Sequence, residues 1–475
     1  MSMTQLVESR MEAMRAERSR LAESWSPYIN SVESYMQKQG KSITEMDKQN
    51  IARCLENALL EGGVKSQSKL FETTDSSSIN FLGIQLPVIA ALLPSLVLNK
   101  LAVTQSLDRR SGAVFYLDVM YGQNKGAVTS AQSMLSSKTG HNKTPAGRQY
   151  ASVRVTGESI TGTTGTLGYT SVVLGTVVIS NGTETLTDVA TPGTLASNLS
   201  GGRTGSVTAA GVWTITGALS GGGAMTASYK YDYQTMSGNN QVPEINIGVS
   251  SEVVTAEDFP LRANFTVGAA YDLERAHGLN LEDELVKYLG GEVKFTMDHL
   301  GIDLMNDAAK SEGAAATPGT YNAQPSTGEA WVWKKYQFLD FVEKANVNIL
   351  SKTLRGVCNF LVVGNDGARI IRQLEPHFKP AAGLDSLVPT GPYELGTLDG
   401  RLIVHDPLLN TNEVLFGFKG DNYLFSGFLF APYLPLFSTP TLVTADLKAQ
   451  KGFLASAGYK VVNKGMYTSG TVTIS

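Results

Sequence analysis

The longest regular pattern of apolar residues in the chain lies between residues 281 and 310. Apolar side chains recur there every three or four positions, which is the spacing of one face of an α-helix. The residues that carry this pattern are Leu281, Leu285, Tyr288, Leu289, Val293, Met297, Leu300 and Leu304. The pattern predicts a helix Leu281–Lys310 about 45 Å long. Asn280 is its expected N-cap, and Glu282, Asp283 and Glu284 lie at the positive end of its dipole.

The residues before this helix, Asp258–Gly278, predict a short strand that leads into a short helix and a glycine break. Three glycines, Gly290, Gly291 and Gly301, lie inside the long helix itself. Glycine weakens a helix interior, so these positions depart from the pattern of a stable helix. Two interpretations of the long helix stay open: a core helix of a large enzyme, or a spine against which a thin, plate-like subunit is built.

Residues 1–70 are polar and helical in pattern. Two capping-box sequences begin at Ser2 and Ser42, and the second helix ends at Gly62-Gly63. Its apolar face carries Ile51, Leu55, Ala58 and Leu59. Two interpretations stay open: an appended arm that docks on another subunit, or a helical hairpin of the main domain.

The next part of the chain changes character. An apolar helix Leu86–Ala102, kinked at Pro94, precedes a strand Ala113–Met120. Residues 121–150 are polar and read as an exposed loop. Between Thr161 and Met225 only three residues are charged, and short β-branched runs alternate with glycine-rich and serine-rich turns. This pattern predicts an inserted small β-sandwich or barrel domain over 152–233.

The carboxyl-terminal part predicts an α/β arrangement. A helix Trp331–Leu350 comes before the apolar strand Asn359–Val363, and Asn365 is the expected cap of the helix that follows. Further strands are predicted at Leu402–Val404 and Val414–Phe418. An aromatic run from residue 423 to 437 is too broken by Gly and Pro for a membrane helix and suits a core or a subunit interface.

Composition narrows the choice of class. The chain has 475 residues, so about two to four domains are expected. The net charge of −4 gives no basic face of the kind that sequence-specific nucleic-acid binding needs. The two cysteines, Cys54 and Cys358, predict neither a disulfide framework nor a Cys-rich metal site. The start of the chain has no apolar core typical of a signal peptide, and Leu86–Val103 is too interrupted by Pro, Asn and Lys for a membrane span.

The sequence offers little for catalysis. None of the five histidines belongs to a metal-binding spacing, and neither a Gly-x-Ser-x-Gly elbow nor a phosphate-binding loop is present. His405 and Asp406 are adjacent, but neighbouring residues on a strand point to opposite faces. His277 is interpreted as a helix cap and Cys358 as a small core residue. We therefore predict no catalytic, cofactor-binding or metal-binding residues, no cofactor and no enzymatic activity.

One short motif has a plausible use. Leu59-Leu60-Glu61 stands before Gly62-Gly63, and a Leu/Ile-x-Glu sequence followed by small residues suits a processing protease. Ile43-Thr44-Glu45 is a weaker second match. Glu61 is the candidate cleavage residue.

Three segments together resemble the major capsid proteins of T-even-like tailed bacteriophages. The first is Leu86–Tyr121, with Pro94 and the turn Arg109–Gly112 before Phe115-Tyr-Leu-Asp-Val-Met-Tyr-Gly122. The second is Phe259–Leu279, which ends in Asp-Leu-Glu-Arg-Ala-His-Gly-Leu. The third combines Gly417-Phe-Lys-Gly420 with Phe430–Leu436.

The resemblance implies an α+β fold, the tailed-phage major capsid fold. Its parts would be an N-arm, an E-loop, a P-domain with the long spine helix, and an A-domain, plus the inserted β domain. The implied bounds are 1–70 for the arm, with a candidate propeptide up to 61, 71–121 for the N-terminal core segment, 122–244 for the E-loop, 245–344 for the P-domain, 345–445 for the A-domain and 446–475 for strands that return to the P-domain. The insertion 152–233 is where the chain is least like the family.

The resemblance also implies a structural protein of the virion capsid that is assembled in the bacterial host cytoplasm. Its partners would be other copies of itself in hexamers, with pentamers as an open alternative. Further implied partners are scaffold or core proteins, a prohead protease that cuts after Glu61, and portal, vertex and decoration proteins. No sequence-specific nucleic acid and no membrane are expected as partners.

Two other classes of function remain as alternatives. The Thr-, Ser- and Gly-rich insertion is also compatible with a surface adhesin or a carbohydrate-binding protein. An α/β enzyme that uses the region 355–420 is the third class, and the missing catalytic motifs argue against it.

Overall fold

The structure is a computed structural model. It describes residues 16–38, 43–61, 95–136, 140–141, 143–188, 190–199, 202–221, 223–235, 242–278, 281–311, 318–325, 328–381, 391–420, 426–439, 441–443 and 448–474. The predicted capping residues Ser2, Ser42 and Asn280 and most of the predicted helix Leu86–Ala102 lie outside these ranges.

The helices in the described ranges are α1 Ser26–Lys38, α2 Glu45–Glu61, α3 Leu98–Leu101, α4 Val267–His277, α5 Leu281–Ser311, α6 Trp331–Thr353 and α7 Asn365–Ile371, with 3-10 turns at Gly147–Gln149 and Lys464–Met466. The long helix that the apolar spacing predicts is confirmed as α5. Helix α2 begins with a reciprocal cap, because Asp47 N donates to Thr44 Oγ1 while Thr44 N donates to Asp47 Oδ2.

The strands, in chain order, are β1 Val103–Thr104, β2 Ser111–Tyr121, β3 Ser133–Ser136, β4 Gly140–His141, β5 Arg154–Ile160, β6 Thr164–Thr166, β7 Val178–Ser180, β8 Thr185–Thr187, β9 Thr194–Ser197, β10 Thr204–Val207, β11 Val212–Ile215, β12 Met225–Lys230, β13 Ile245–Thr255, β14 Glu257–Thr266, β15 Thr320–Asn322, β16 Phe360–Val363, β17 Phe378–Pro380, β18 Tyr393–Leu398, β19 Arg401–His405, β20 Glu413–Gly417, β21 Phe428–Ser438, β22 Leu442–Val443, β23 Lys448–Val461 and β24 Tyr467–Thr473. The chain divides into two compact units, one of residues Met1–Phe115 and Ser251–Ser475 and one of residues Tyr116–Ser250.

The larger unit contains a seven-stranded mixed sheet in the order β15-β24-β20-β16-β19-β18-β17. Helix α6 places Phe338, Phe341, Val342 and Ala345 into the core of this sheet. All four side chains of β16 are buried, as expected for a central strand with both faces covered. The α/β arrangement read from the sequence is therefore present here.

A second sheet of the larger unit has the order β1-β21-β23-β14, with β22 also pairing with β23. Strands β14 and β23 form an antiparallel ladder that runs from Glu257 opposite Ala457 to Thr266 opposite Lys448. The aromatic run near residue 430 lies in β21, where Phe428 and Phe430 are fully buried. This run is therefore part of the core of the unit.

Buried polar contacts attach the spine helix α5 to the seven-stranded sheet. His299 Nδ1 lies 2.8 Å from Asp406 Oδ2, and Asn306 Nδ2 donates to Glu413 Oε2 over 2.6 Å. Lys310 Nζ pairs with the other oxygen of Glu413 at 2.8 Å. Asp406 is fully buried, so these contacts fix the rotation of the helix about its own axis.

Gly301 has a packing reason that is not visible in the sequence. A Cβ at this position would lie 2.7 Å from the Leu98 side chain of α3, so glycine permits the two helices to approach closely. At Gly291, in contrast, a Cβ would have nothing within 4 Å. No close contact therefore explains the glycine at position 291.

The smaller unit contains an eight-stranded antiparallel sheet in the order β5-β12-β7-β8-β9-β10-β11-β6. Its strands place side chains such as Val155, Ile179, Leu195 and Trp213 into one common apolar cluster. Because a single core is shared by strands from both ends of the order, the sheet must curve around it. The inserted sandwich-or-barrel fold is therefore confirmed.

Several predicted boundaries were wrong. Of the β-branched run 171–180, only Val178–Ser180 is extended in a ladder, because Gly175 has a positive φ of 84°. Residues Ile245–Thr255 form one continuous strand, β13. Asn365 is the first residue of α7, and Gly364 is its N-cap. At the end of α4 the cap is Gly278, with φ 64°, and not His277.

Candidate assembly surfaces

The predicted cleavage residue Glu61 is the last residue of helix α2. The bond that would be cut joins it to Gly62, which lies outside the described residues. Of the two leucines before it, Leu59 is fully buried and Leu60 is exposed. The weaker match at Glu45 differs, because Glu45 is the first residue of the same helix.

Helix α2 is packed into the larger unit of its own chain. Ile51, Leu55 and Leu59 on one face are fully buried, in agreement with the apolar face read from the sequence. Trp25, directly before α1, is also buried, and its Nε1 donates to Glu56 Oε2 over 3.1 Å. This packing is on the segment's own chain, as the hairpin interpretation expects, and docking of the arm on another subunit stays a prediction.

Two buried asparagines on α2 are functional candidates that the sequence did not single out. Asn50 Nδ2 donates to Thr104 O, and Asn57 Nδ2 donates to both Leu107 O and Tyr433 O. The signal that could have found them is their spacing, because residues seven apart lie on one helix face and these two interrupt an otherwise apolar stripe.

His405 and Asp406 point to different partners, as their adjacency on a strand predicts. His405 Nε2 lies 2.9 Å from Asn365 Oδ1, and its Nδ1 lies 2.9 Å from the Tyr393 hydroxyl. Burial and the nearby Arg372 guanidinium lower the pKa of His405, which favours the neutral ring. Asp406 instead contacts His299, so the two residues do not form a catalytic pair.

The pocket beside α7 is lined mainly by residues with polar side chains, including Arg369, Arg372, Tyr393 and His405. Both ring nitrogens of His405 are already engaged there, and no Ser or Cys nucleophile lies among the lining residues. Within the described ranges, no group of three or more His, Cys, Asp or Glu side chains is arranged to hold a metal ion.

Cys54 and Cys358 are both free and buried. Burial raises the pKa of the Cys358 thiol to about 12 and raises that of Cys54 as well. A thiol held protonated in this way is a poor nucleophile. Cys358 is thus a small core residue, as predicted. None of the helices in the described part of the chain combines the length and apolar character that a membrane crossing needs.

Strand β13 carries an apolar stripe that is exposed to solvent. Ile245, Ile247 and Val249 lie at alternate positions and therefore on one face of the strand. Ile247 is the most exposed of the three, at 70%. Contiguous apolar surface of this kind marks an interaction site.

Helix α4 contributes no buried residue. Tyr271 on this helix is 67% exposed, and Tyr288 at the start of α5 is 82% exposed. A helix of this length is marginal in water unless packing supports it, although Thr266 caps it by accepting from Ala269 N. Residues 259–278, the described part of the segment that carries the resemblance, thus include a helix that a single chain leaves exposed to solvent.

The start of helix α6 presents a third exposed group. Trp331, Val332 and Trp333 are all exposed, the last at 72%, and Lys335 Nζ lies over the Trp331 ring. The buried phenylalanines of the sheet core, Phe338 and Phe341, lie further along the same helix. The first turn of α6 therefore exposes a group of large apolar side chains in a single chain.

Comparison with known proteins identifies the family. The family model described as Major capsid protein Gp23 matches residues 79–473. The major capsid protein of Vibrio phage KVP40 is 28% identical over 215 residues, which cover 42% of this chain and 42% of that protein. That of Enterobacteria phage T4 is 25% identical over 213 residues, which cover 42% of this chain and 41% of that protein. The matched part thus spans about two fifths of the length of these relatives.

Among solved structures, a chain from Microbacterium phage Oxtober96 has a TM-score of 0.33 and 13% identity, covering 50% of this chain and 80% of that one. A structural similarity this low does not by itself establish the fold or the function. The family match confirms the resemblance to T-even-like phages and the α+β capsid fold that it implies. The family match extends over more than half of this chain, and the chain therefore belongs to the Gp23 family of major capsid proteins.

Proposed function

We propose that this protein is a structural subunit that self-assembles into the icosahedral shell enclosing phage DNA. The observation that carries the proposal is the exposed apolar stripe of β13, which a single chain leaves in water. The uncovered helix α4 supports it. Many such weak contacts become additive when hundreds of copies meet in one closed shell.

The parts of the chain take the following proposed roles. Residues 1–70 are the N-arm, 71–121 the N-terminal core segment, 122–244 the E-loop, 245–344 the P-domain, 345–445 the A-domain and 446–475 the returning strands. The insertion 152–233 is a separate small domain carried by the E-loop. The compact unit Tyr116–Ser250 supports the E-loop assignment, although its bounds differ by a few residues.

The proposed location is the virion capsid, after assembly in the host cytoplasm. The proposed partners are other copies in hexamers, with pentamers as an open alternative, together with scaffold or core proteins, a prohead protease, and portal, vertex and decoration proteins. The net charge of −4 supports this, because little charge repulsion opposes the packing of many copies.

Electron microscopy of the purified full-length chain tests this function. We expect regular shells, tubes or capsomers, whose size does not depend on the tag or buffer used for purification. A chain that stays a monodisperse monomer at high concentration and binds glycans would instead support the adhesin alternative, for which the Thr- and Ser-rich insertion is the motivating feature.

We also propose that a prohead protease cuts after Glu61. The exposed Leu60 and the position at the helix end support this, since the last turn of a helix frays and gives a protease access. Intact mass of subunits from mature particles should correspond to a chain that begins at Gly62. Glu61→Gln should block that product, whereas Glu45→Gln, at the weaker motif, should not; a full-length subunit in mature particles would contradict the cleavage.

A further inference from the structure

The strand that begins with β1 has one edge covered by helix α2. Strand β1 is parallel to β21, and its continuation keeps that pairing, because Gln105 N donates to Phe430 O and Leu107 N donates to Pro432 O. Successive backbone groups of a strand point to opposite sides. The backbone carbonyl of Thr104 and the backbone amide of Ser106 therefore point away from β21, toward helix α2.

The side chain of Asn50 makes hydrogen bonds to this outer edge like those that a paired strand would make. Its Nδ2 donates to Thr104 O over 3.0 Å, and its Oδ1 accepts from Ser106 N over 3.1 Å. In a parallel ladder one residue donates to the carbonyl of residue i−1 and accepts from the amide of residue i+1 of the neighbouring strand. The Asn50 carboxamide thus reproduces the hydrogen bonds of a parallel strand opposite Gln105.

Asn57 binds the backbone of the same two strands near their ends. Its Nδ2 lies 2.9 Å from both Leu107 O and Tyr433 O, one carbonyl from each strand. Both asparagines are buried, at 6% and 3% exposure, so water does not share these contacts. Covering an edge with a helix is one way in which proteins prevent strand addition.

We propose that α2 is a removable cover of a β edge, and that an extended segment of a second copy adds along Thr104–Ser106 in parallel once the cover has left. The inference rests on the proposed cleavage after Glu61. Without α2, Thr104 O and Ser106 N lose their partners, and an extended peptide backbone is the ligand that matches both of them.

The occupant that we assign is residues 62–94 of a neighbouring copy. The cut leaves these 33 residues ahead of Ser95 as the new start of every chain. A chain of that length spans at most about 110 Å when fully extended, which is enough to reach another copy. Within a shell the local concentration of such segments is high, which favours addition without an especially tight contact.

The cover itself can be tested on the soluble full-length chain by hydrogen–deuterium exchange. The Ser106 amide should exchange slowly in the natural sequence and at least tenfold faster in Asn50→Leu. Asn30→Leu, at an exposed position of α1, is the matched control and should leave that rate unchanged. The Gln105 and Leu107 amides should stay slow in every variant, which shows that the strand is still folded; an unchanged Ser106 rate in a folded Asn50→Leu chain would overturn the role of Asn50.

Strand addition can be tested by placing a site-specific protease sequence between Glu61 and Gly62. After the cut, the Ser106 amide should exchange fast in the soluble chain and slowly again in assembled shells. Slow exchange in the soluble cut chain would mean that the edge is filled within one copy, and fast exchange in cut shells would mean that no strand adds. Either result overturns the proposal while shells still form, whereas the absence of shells counts against the proposed function.

The identity of the occupant follows from crosslinking. A small photo-reactive residue at position 105, in shells assembled from a mixture of isotope-labelled and unlabelled subunits, should link to residues 62–94 of another copy. Links confined to one copy, or to other segments, would contradict the assignment.

Discussion

At the scale of single residues, the structure places ionised groups in surroundings that move their pKa values in opposite directions. Glu184 is fully buried in the insertion, yet its carboxylate accepts from Ser220 N, Arg203 N and Ser197 Oγ. These hydrogen bonds hold its pKa at about 2. Asp298 is similarly buried and accepts from Val97 N and Leu98 N, but burial dominates and raises its pKa to about 6.

Replacing Glu184 by Gln should destabilise the inserted domain. The new amide nitrogen would meet a backbone N–H where the carboxylate accepts one, so a buried donor loses its partner. Because the folded-state pKa lies below the ordinary value, the carboxylate stabilises the domain above about pH 4.5, and this contribution is lost as the pH falls toward 2. We expect hydrogen exchange over residues 178–220 to be faster in the variant at pH 7, with a difference that shrinks toward pH 2.

The exposed Glu274→Gln on α4 is the control for this comparison, since it removes the same charge without a buried contact. A variant at Glu184 that exchanges like the control at pH 7 would show that the three hydrogen bonds contribute no net stability.

Asp298 should have the opposite pH dependence. Its folded-state pKa is raised, so the folded state keeps a proton that the unfolded chain has lost between about pH 4 and 6. Its contribution is therefore largest below about pH 4 and is lost as the pH rises through 6. We expect the Tm of the natural chain relative to that of Asp298→Asn to fall as the pH is raised from 4 to 7; parallel curves would contradict the shift.

At the scale of elements, β13 and α2 show that an amphipathic pattern does not predict what its apolar face contacts. Ile51 and Leu55 of α2 are buried within their own chain, whereas Ile245 and Ile247 of β13 are exposed to solvent. Both patterns read alike in sequence. The difference is the presence or absence of a neighbouring element, which is a tertiary property.

Charging the β13 stripe should block assembly without unfolding the chain. Ile247→Asp places a charge at a strongly exposed position, so the free energy of unfolding of the isolated chain should change by less than about 0.5 kcal/mol. If this face is buried between copies, the unpaired charge should abolish or sharply reduce shell formation, measured by sedimentation and electron microscopy.

Asn246→Asp is the matched control, because it adds the same charge one position away, on the other face of the strand. Loss of assembly in both variants would point to a general charge effect, and normal assembly of Ile247→Asp would show that the stripe is not an interface.

At the scale of the whole molecule, the insertion is built so that it can be removed. Arg154 of β5 and Lys230 of β12 are direct partners in an antiparallel ladder, so the two ends of the inserted domain lie side by side. Its apolar core is formed by its own residues. We therefore expect a chain in which residues 155–230 are replaced by a short Gly-Ser linker to form shells still, as judged by electron microscopy.

Hydrogen exchange of the seven-stranded sheet is the folding control for that deletion. If the sheet stays protected but only monomers are found, the insertion has a role in assembly itself.

The sequence by itself determined the elements whose signal is local. The spine helix, the central strand β16 and the β-rich insertion follow from apolar spacing, and three sequence segments, Phe259–Leu279 among them, together indicated the family. These inferences hold because backbone periodicity and turn chemistry act over a few residues.

Only the tertiary structure decided what each apolar face touches and which polar residues meet. Asn57 donates to the carbonyl of Tyr433, which lies 376 positions further along the chain. Gly301 permits the approach of Leu98, and His299 reaches Asp406 across 107 positions. Contacts at such separations depend on how the elements pack, and no local pattern of residues encodes that packing.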